Sequence, residues 1–123
     1  MADTIAINET NRLISSEKVE GTTVYNRTGE KLGTVRNFMV DKRSGKAEYA
    51  VLSFGGLFGL GADYYPIPWD LLDYDTDLSG YVVDIDKSRL ENAPRYSTEK
   101  TPAYDHLYGR EVYGYWGIPY PFV

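Results

Sequence analysis

The sequence contains no cysteine and a single histidine, His106. Without cysteine the chain has no disulfide, no thiol nucleophile and no thiolate metal ligand. No stretch approaches the ~18 consecutive apolar residues of a membrane-spanning helix. Residues 1–19 include acidic side chains and lack the apolar run of a signal peptide. We therefore expect a cytoplasmic protein without membrane insertion.

Basic residues are also scarce, since 13 Lys and Arg stand against 18 Asp and Glu and the formal net charge is −5. An acidic surface opposes binding to nucleic-acid phosphates, so we expect no direct nucleic-acid partner. The length of 123 residues suits one domain with extensions. A hydrophobic content of 42% and a charged content of 25% are typical of a globular protein.

Short β-strand patterns with closely spaced turn signals fill residues 13–93. The predicted strands are 22–25, 31–42, 46–54, 64–69, 72–75 and 81–85. The apolar alternation of the longest one shifts phase between Val35 and Phe38, which predicts a bulge. Short helical turns are predicted after Ser15, with serine as the N-cap, and at 87–92. This pattern predicts an all-β fold, a small six-stranded antiparallel meander that is closed or partly closed into a β-barrel, with short helical turns.

A glycine-rich loop follows the third predicted strand, with Leu57, Phe58 and Leu60 set between glycines at 55, 56, 59 and 61. A phosphate-binding loop leads into a helix and commonly carries a lysine. This loop has no basic residue and leads into a predicted strand. Its apolar side chains instead indicate a contact surface.

The composition changes at Arg95, beyond which prolines and aromatic residues are concentrated. The segment shows no sustained helical or strand period, yet it is too aromatic for a solvated disordered tail. It can pack on its own barrel or on a second copy, two alternatives of equal weight, with a foreign partner third. The candidate interface residues here are Tyr108, Tyr113, Tyr115, Trp116, Tyr120 and Phe122. The predicted organisation is a flexible arm at 1–11, a domain at 12–95 and an aromatic extension at 96–123.

An ordered series of short motifs runs through residues 12–95. The motifs include Leu13-Ile14-Ser15, Gly29-Glu30-Lys31-Leu32-Gly33, Asp41-Lys42-Arg43-Ser44-Gly45, Val51-Leu52-Ser53-Phe54-Gly55-Gly56, Pro66-Ile67-Pro68-Trp69 and Ala93-Pro94. Together they resemble the PRC-barrel family, to which the cytoplasmic part of the photosynthetic reaction centre H subunit belongs. The resemblance implies a six-stranded, partly open barrel in a stand-alone bacterial or archaeal member. In the reaction-centre subunit and in a ribosome-maturation factor such barrels hold partners, and no catalytic residues carry over.

The acidic run beyond Asp70 is the first candidate site. Asp73, Asp75, Asp77 and Asp84 have the spacing of calcium-loop positions, but Leu78 stands where that loop needs glycine. A hairpin with solvated carboxylates is the favoured interpretation. His106 lacks a nucleophile placed beside it by sequence spacing, so an exposed position is expected. We predict no catalytic residue, cofactor or metal site.

The sequence therefore favours a non-enzymatic protein-interaction or assembly module. We expect a homodimer formed through the glycine-rich loop and the aromatic tail, with a further protein partner as an option. The alternatives are a small-ligand or metal-ion binding barrel and a ribosome-associated factor that contacts a basic protein. An enzyme is the least favoured class, because no nucleophile, base and orienting group are grouped.

Overall fold

A computed structural model of the chain describes residues 13–54 and 63–121. The predicted arm at 1–11, the loop residues Leu57, Phe58 and Leu60, and the terminal Phe122 lie outside the described residues. The strands are β1 Thr23–Asn26, β2 Lys31–Val40, β3 Ala47–Ser53, β4 Tyr64–Pro68, β5 Asp73–Asp75 and β6 Gly80–Val83. The α-helices are α1 Ser16–Val19, α2 Lys87–Leu90 and α3 His106–Tyr115, and 3₁₀ turns cover Trp69–Leu71 and Thr98–Lys100.

The strands form one six-stranded sheet in the order β4-β3-β2-β1-β6-β5. The sheet is mixed, because β6 runs parallel to β1 with Val24 opposite Tyr81 and Asn26 opposite Val83. The prediction of a purely antiparallel meander was therefore wrong. Strand alternation reports which face is buried but not which strand is the neighbour, and after β4 the chain passes to the far side of β1. In the described part of the chain β4 and β5 remain separate edges, so the sheet is not closed by hydrogen bonds.

The predicted bulge lies in β2, where the register with β3 shifts between Val35 and Asn37. This confirms that the broken alternation between Val35 and Phe38 marks an extra residue in the strand. Gly33, earlier in β2, allows a close backbone approach, since an added Cβ would lie 2.3 Å from the carbonyl oxygen of Ser53. The predicted cap of α1 is also present, with the hydroxyl of Ser15 accepting from the amide of Glu17.

The main core lies on one face of the sheet. It consists of Val19, Val24, Leu32, Val35, Ala50, Leu52, Phe54, Tyr65, Ile67, Leu72, Tyr81, Val83, Ile85, Leu90 and Ala93. The sheet curls around this core, because Trp69, directly after β4, lies 5.9 Å from Tyr81 of β6, ring centre to ring centre. In the sheet itself β3, β2 and β1 lie between β4 and β6.

The central strand β3 is buried on both faces, since Tyr49, Ala50, Val51 and Leu52 are each at most 2% exposed. Successive strand residues point to opposite faces, and Ala50 and Leu52 belong to the main core. Tyr49 belongs to a second cluster on the other face. That second face is covered by the segment that follows the sheet.

The covering element is α3, a ten-residue helix. The sequence shows no sustained helical period in residues 96–123, yet His106–Tyr115 form a regular helix. Asp105 caps the helix by accepting from the amide of Tyr108 at 2.9 Å. Gly109 and Gly114 inside the helix obscure its pattern, because glycine is a poor helix former, and Gly117, at a positive φ of 76°, follows its end.

Candidate functional site

The aromatic extension lies on its own sheet. Val112 and Tyr113 of α3 are 0% and 2% exposed and pack with Tyr49 of β3. The Tyr113 hydroxyl donates to the carbonyl oxygen of Glu48 at 2.7 Å. The helix is therefore anchored by apolar burial and by a polar contact to β3.

Tyrosine rings connect the extension to the sheet through edge-to-face contacts. The ring of Tyr49 lies 5.1 Å from that of Tyr104 and 5.6 Å from that of Tyr113, between centroids. Tyr104 also lies 5.2 Å from Tyr108, and its hydroxyl shares a hydrogen bond of 2.8 Å with the hydroxyl of Tyr96. Edge-to-face geometry is the arrangement that aromatic quadrupoles favour.

These tyrosines are held in their neutral form. Burial is the main cause that raises the pKa of Tyr49, Tyr108 and Tyr113 well above the ordinary value. Burial, followed by the hydrogen bond with Tyr96, raises the pKa of Tyr104. A phenol with a raised pKa is a poor proton donor near neutral pH, so this cluster has the properties of a packing surface.

Arg89 holds the end of α3 against the segment after the sheet. Its guanidinium carbon lies 4.7 Å from the ring centre of Tyr115 and 5.5 Å from that of Trp116. Arg89 also donates through Nη2 to the carbonyl oxygen of Tyr115, and the Tyr115 hydroxyl donates to the carbonyl oxygen of Arg89. Sequence reasoning missed this contact, because nothing in the pattern joins positions so far apart along the chain.

The structure thus brings together five of the residues predicted to form an interface. Tyr113 is buried, and Tyr108, Tyr115, Trp116 and Tyr120 are partly buried against the same chain. Of the two leading alternatives for the extension, the structure shows packing on its own sheet. A role for these side chains in binding a second protein stays a prediction.

His106 is exposed at the start of α3, as expected. Its Nδ1 lies 3.0 Å from the hydroxyl of Tyr120. The two rings meet edge to face at 5.9 Å. This contact fastens the chain after α3 back onto the helix.

Two carboxylates of the acidic run have protein partners. Asp73 pairs with Arg27 at 3.3 Å, although both side chains are largely exposed. Asp75 accepts from the amides of Asp77 and Leu78 at 2.8 and 3.2 Å. Across residues 13–54 and 63–121 no group of three or more His, Cys, Asp or Glu is placed to hold a metal ion. Asp73, Asp75 and Asp77 lie in the β5–β6 hairpin, with an Asx-type turn at Asp75.

Several large apolar side chains are exposed at separate places on the surface. Tyr74 and Leu78, at 49% and 40% exposure, sit on the β5–β6 hairpin. Leu13, Ile14, Val40 and Leu107 are also exposed. Sequence reasoning missed Tyr74, because an isolated tyrosine between aspartates does not reveal whether its strand lies at an edge. The alternation Asp73-Tyr74-Asp75 was the available signal for a half-solvated strand.

Comparison with known families gives a direct result. The family model described as the PRC-barrel domain matches residues 12–90, well over half of the chain. The chain belongs to the PRC-barrel domain family. The family resemblance of the sequence motifs is thereby confirmed. No curated protein matches the chain.

The match also divides the molecule. It covers the PRC-barrel sheet and α2, whereas Tyr96 and α3 lie beyond its end. The cover on the second face of β3 is therefore supplied by residues outside the matched domain. None of the helices among the described residues has the length and apolar character needed to cross a bilayer.

Proposed function

We propose that this PRC-barrel protein is a non-enzymatic protein-interaction module. The observation that carries the proposal is a set of large apolar side chains that remain exposed in and around a well-packed sheet. The set comprises Leu13 and Ile14 before α1, Tyr74 and Leu78 on the β5–β6 hairpin, and Leu107 in α3. Apolar groups that stay in water and are held by a rigid framework are the usual anchors of protein contacts. Membership of the PRC-barrel family agrees with this function.

The polar chemistry of the described surface supports the same proposal. His106 faces a tyrosine hydroxyl, and Asp75 is occupied by turn amides. General acid–base catalysis needs a base and a reacting group within hydrogen-bond reach of a bound substrate. The buried tyrosines keep their protons and are enclosed by the packing of α3.

The finer proposal is that one partner is a second copy of the chain, in a two-fold dimer. Leu107 supports it, because this apolar residue in the first turn of α3 is 75% exposed. The inner face of α3 is already used for packing on β3 and β4. A dimer contact through the outer face of α3 leaves that packing intact.

Site-specific photo-crosslinking tests the module. A benzophenone amino acid is placed singly at Leu13, Tyr74 or Leu107, with exposed Lys46 and Thr98 as control positions. We expect a discrete adduct at one or more of the apolar positions after irradiation in native host cells. Adducts no more frequent at the apolar positions than at the control positions would contradict the proposal.

Sedimentation velocity at micromolar concentration tests the dimer separately. We expect a dimer for the wild-type chain and a shift toward monomer for Leu107→Glu. Thr98→Glu adds the same charge at another exposed position and leaves the dimer unchanged. A wild-type monomer at this concentration would remove self-association and leave the wider proposal to the cross-linking result.

A further inference from the structure

The two edges of the sheet differ in how they are covered. At the β4 edge Tyr64 and Tyr96 exchange backbone hydrogen bonds of 2.8 and 3.0 Å. At the β5 edge the only strand neighbour within the described ranges is β6. In an antiparallel pair every second residue of an edge strand directs its N–H and C=O away from the neighbouring strand. The β5 edge therefore offers backbone donors and acceptors for an added strand.

A fixed aromatic side chain stands at this edge. Tyr74 contacts the ring of Tyr81 at 5.3 Å, and Tyr81 in turn contacts the ring of Trp69 at 5.9 Å. Tyr81 is buried in the main core, whereas Tyr74 is 49% exposed. Tyr74 is thus supported from the core and still presents ring surface to a partner, which is the usual arrangement of an interface anchor.

An open groove crosses β6, between the turn that follows β1 and the β5–β6 hairpin. Its volume is about 440 Å³, and the residues that matter for recognition are Arg27, Asp73, Tyr74, Leu78 and Val82. Leu78 is 40% exposed, and Val82 forms an apolar floor at 9%. The groove thus combines apolar surface with carboxylates, next to a strand edge.

The negative charge near the β5 edge indicates the chemistry of the partner. Residues 70–86 contain six aspartates and no lysine or arginine. Arg27, the one basic residue that lines the groove, already pairs with Asp73 at 3.3 Å. A second copy that paired edge to edge would place aspartates opposite aspartates, which is destabilising. A lysine- or arginine-containing strand would be attracted instead.

We propose that the β5 edge binds an extended, basic segment of a partner protein by strand addition. The segment pairs its backbone with β5, places basic side chains beside Asp73 and Asp77, and rests an apolar side chain on Tyr74. This inference rests on the proposed interaction function and names the surface and the chemistry of the partner. Nucleic acid does not fit, because the same carboxylates would repel its phosphates.

The probe is a blocked peptide of alternating lysine and valine, added to the full-length ¹⁵N-labelled chain. We expect shift changes confined to the amides of β5 and β6, slower hydrogen exchange at outward-facing β5 amides, and an affinity that falls with salt. Two matched peptides separate the contribution of strand pairing from that of charge. One carries N-methyl groups on alternate amides and cannot pair as a strand, and the other has glutamate in place of lysine. Neither control peptide should bind measurably.

Variants of the protein test which carboxylates attract the basic peptide. We expect Asp73→Asn with Asp77→Asn to weaken peptide binding about tenfold. Glu99→Gln with Glu111→Gln removes the same charge at exposed positions elsewhere and should change the affinity less than about twofold. Amide spectra of both double variants check that the fold is retained. Equal effects of the two pairs would overturn the inference.

Four other results would also overturn it. Binding that survives N-methylation would show charge attraction without strand pairing. Shift changes centred outside β5 and β6 would place the site elsewhere. Shifts of β5 that appear on self-association without peptide would assign the edge to a second copy. Cross-links at Leu13 or Leu107 without any at Tyr74 would leave the interaction function standing and reject this surface.

Discussion

At the β4 end of the sheet, Tyr96 covers the strand edge and α3 covers the outer face of β3. At the β5 end, the described residues place a groove, aspartates and a half-exposed tyrosine beside a three-residue edge strand. The family match includes the β5 end and stops before Tyr96 and α3. Aromatic side chains therefore serve opposite purposes in the two regions. Those at the β4 end are used for stability, and Tyr74 at the β5 end is available for contact.

The strongest test of this comparison is a pair of matched truncations. Tyr113→Ala should lower the free energy of unfolding by about 3–5 kcal/mol, because it removes a buried ring from between α3 and β3. Tyr74→Ala should cost less than about 1 kcal/mol, since half of that side chain is already in water. Equilibrium unfolding in urea measures both values. Similar losses at the two positions would remove the distinction between the ends.

The next effect is a loss of stability at alkaline pH. Burial raises the pKa of Tyr49, Tyr104, Tyr108 and Tyr113 in the folded state, whereas an unfolded tyrosine titrates near pH ~10. The folded state therefore holds protons that the unfolded state releases. Stability is fully present below about pH 9 and falls as the pH rises past about 10, by up to ~1.4 kcal/mol per pH unit for each such tyrosine.

Urea unfolding at a series of pH values from 8 to about 11.5 measures this loss, with Tyr104→Phe as the comparison. The variant lacks one of the titrating groups and should show a shallower decline than the wild type. Since phenylalanine keeps the ring contact with Tyr49, the two chains differ mainly in the phenol. Parallel curves for the two chains would show that Tyr104 does not contribute to the alkaline transition.

Local features of the sheet followed from the sequence. The phase shift between Val35 and Phe38 predicted the bulge, and Ser15 predicted the cap of α1. Both are decided by residues close together in the chain, where side-chain alternation and capping chemistry act directly. The parallel pairing of β1 with β6 did not follow, because it depends on where the chain travels after β4.

The sequence of β3 contains a signal that the sequence analysis did not use. The continuous run Tyr49-Ala50-Val51-Leu52 needs cover on both faces, as such runs usually do, and α3 supplies it on one of them. The helix itself was hidden, since Gly109 and Gly114 weaken its propensity. The alternation Asp73-Tyr74-Asp75 indicated a half-solvated strand. Its place at the edge was beyond the sequence, because that is a property of the whole sheet.

A smaller effect tests how α3 is held at its start. Asp105→Ala removes the acceptor for the amide of Tyr108 and should lower the free energy of unfolding by about 1 kcal/mol. Asp105→Asn keeps a capping oxygen and should retain most of the stability. Thermal and urea unfolding of the two variants measure the difference. Equal stability of the alanine and asparagine variants would mean that the cap does not support the cover on β3.

The smallest predicted effect compares two glycines of α3. One has free space around it, and the other contacts the chain that follows the helix. At Gly114 an added Cβ meets nothing within 4 Å, so Gly114→Ala should stabilise the protein by about 0.5–1 kcal/mol through helix propensity. At Gly109 the added Cβ would lie 2.4 Å from the ring of Tyr120. That ring must shift, which disturbs its contact with the ring of Tyr113 at 5.2 Å between centroids.

Gly109→Ala should therefore gain less stability than Gly114→Ala by about 1 kcal/mol, or lose stability outright. Combining each change with Tyr120→Ala isolates the cause. With the ring removed, the two alanine substitutions should have equal effects, because both then report helix propensity alone. If the difference persisted without Tyr120, the restriction at Gly109 would come from the helix backbone, and the tail beyond Gly117 would not share in covering the β4 end.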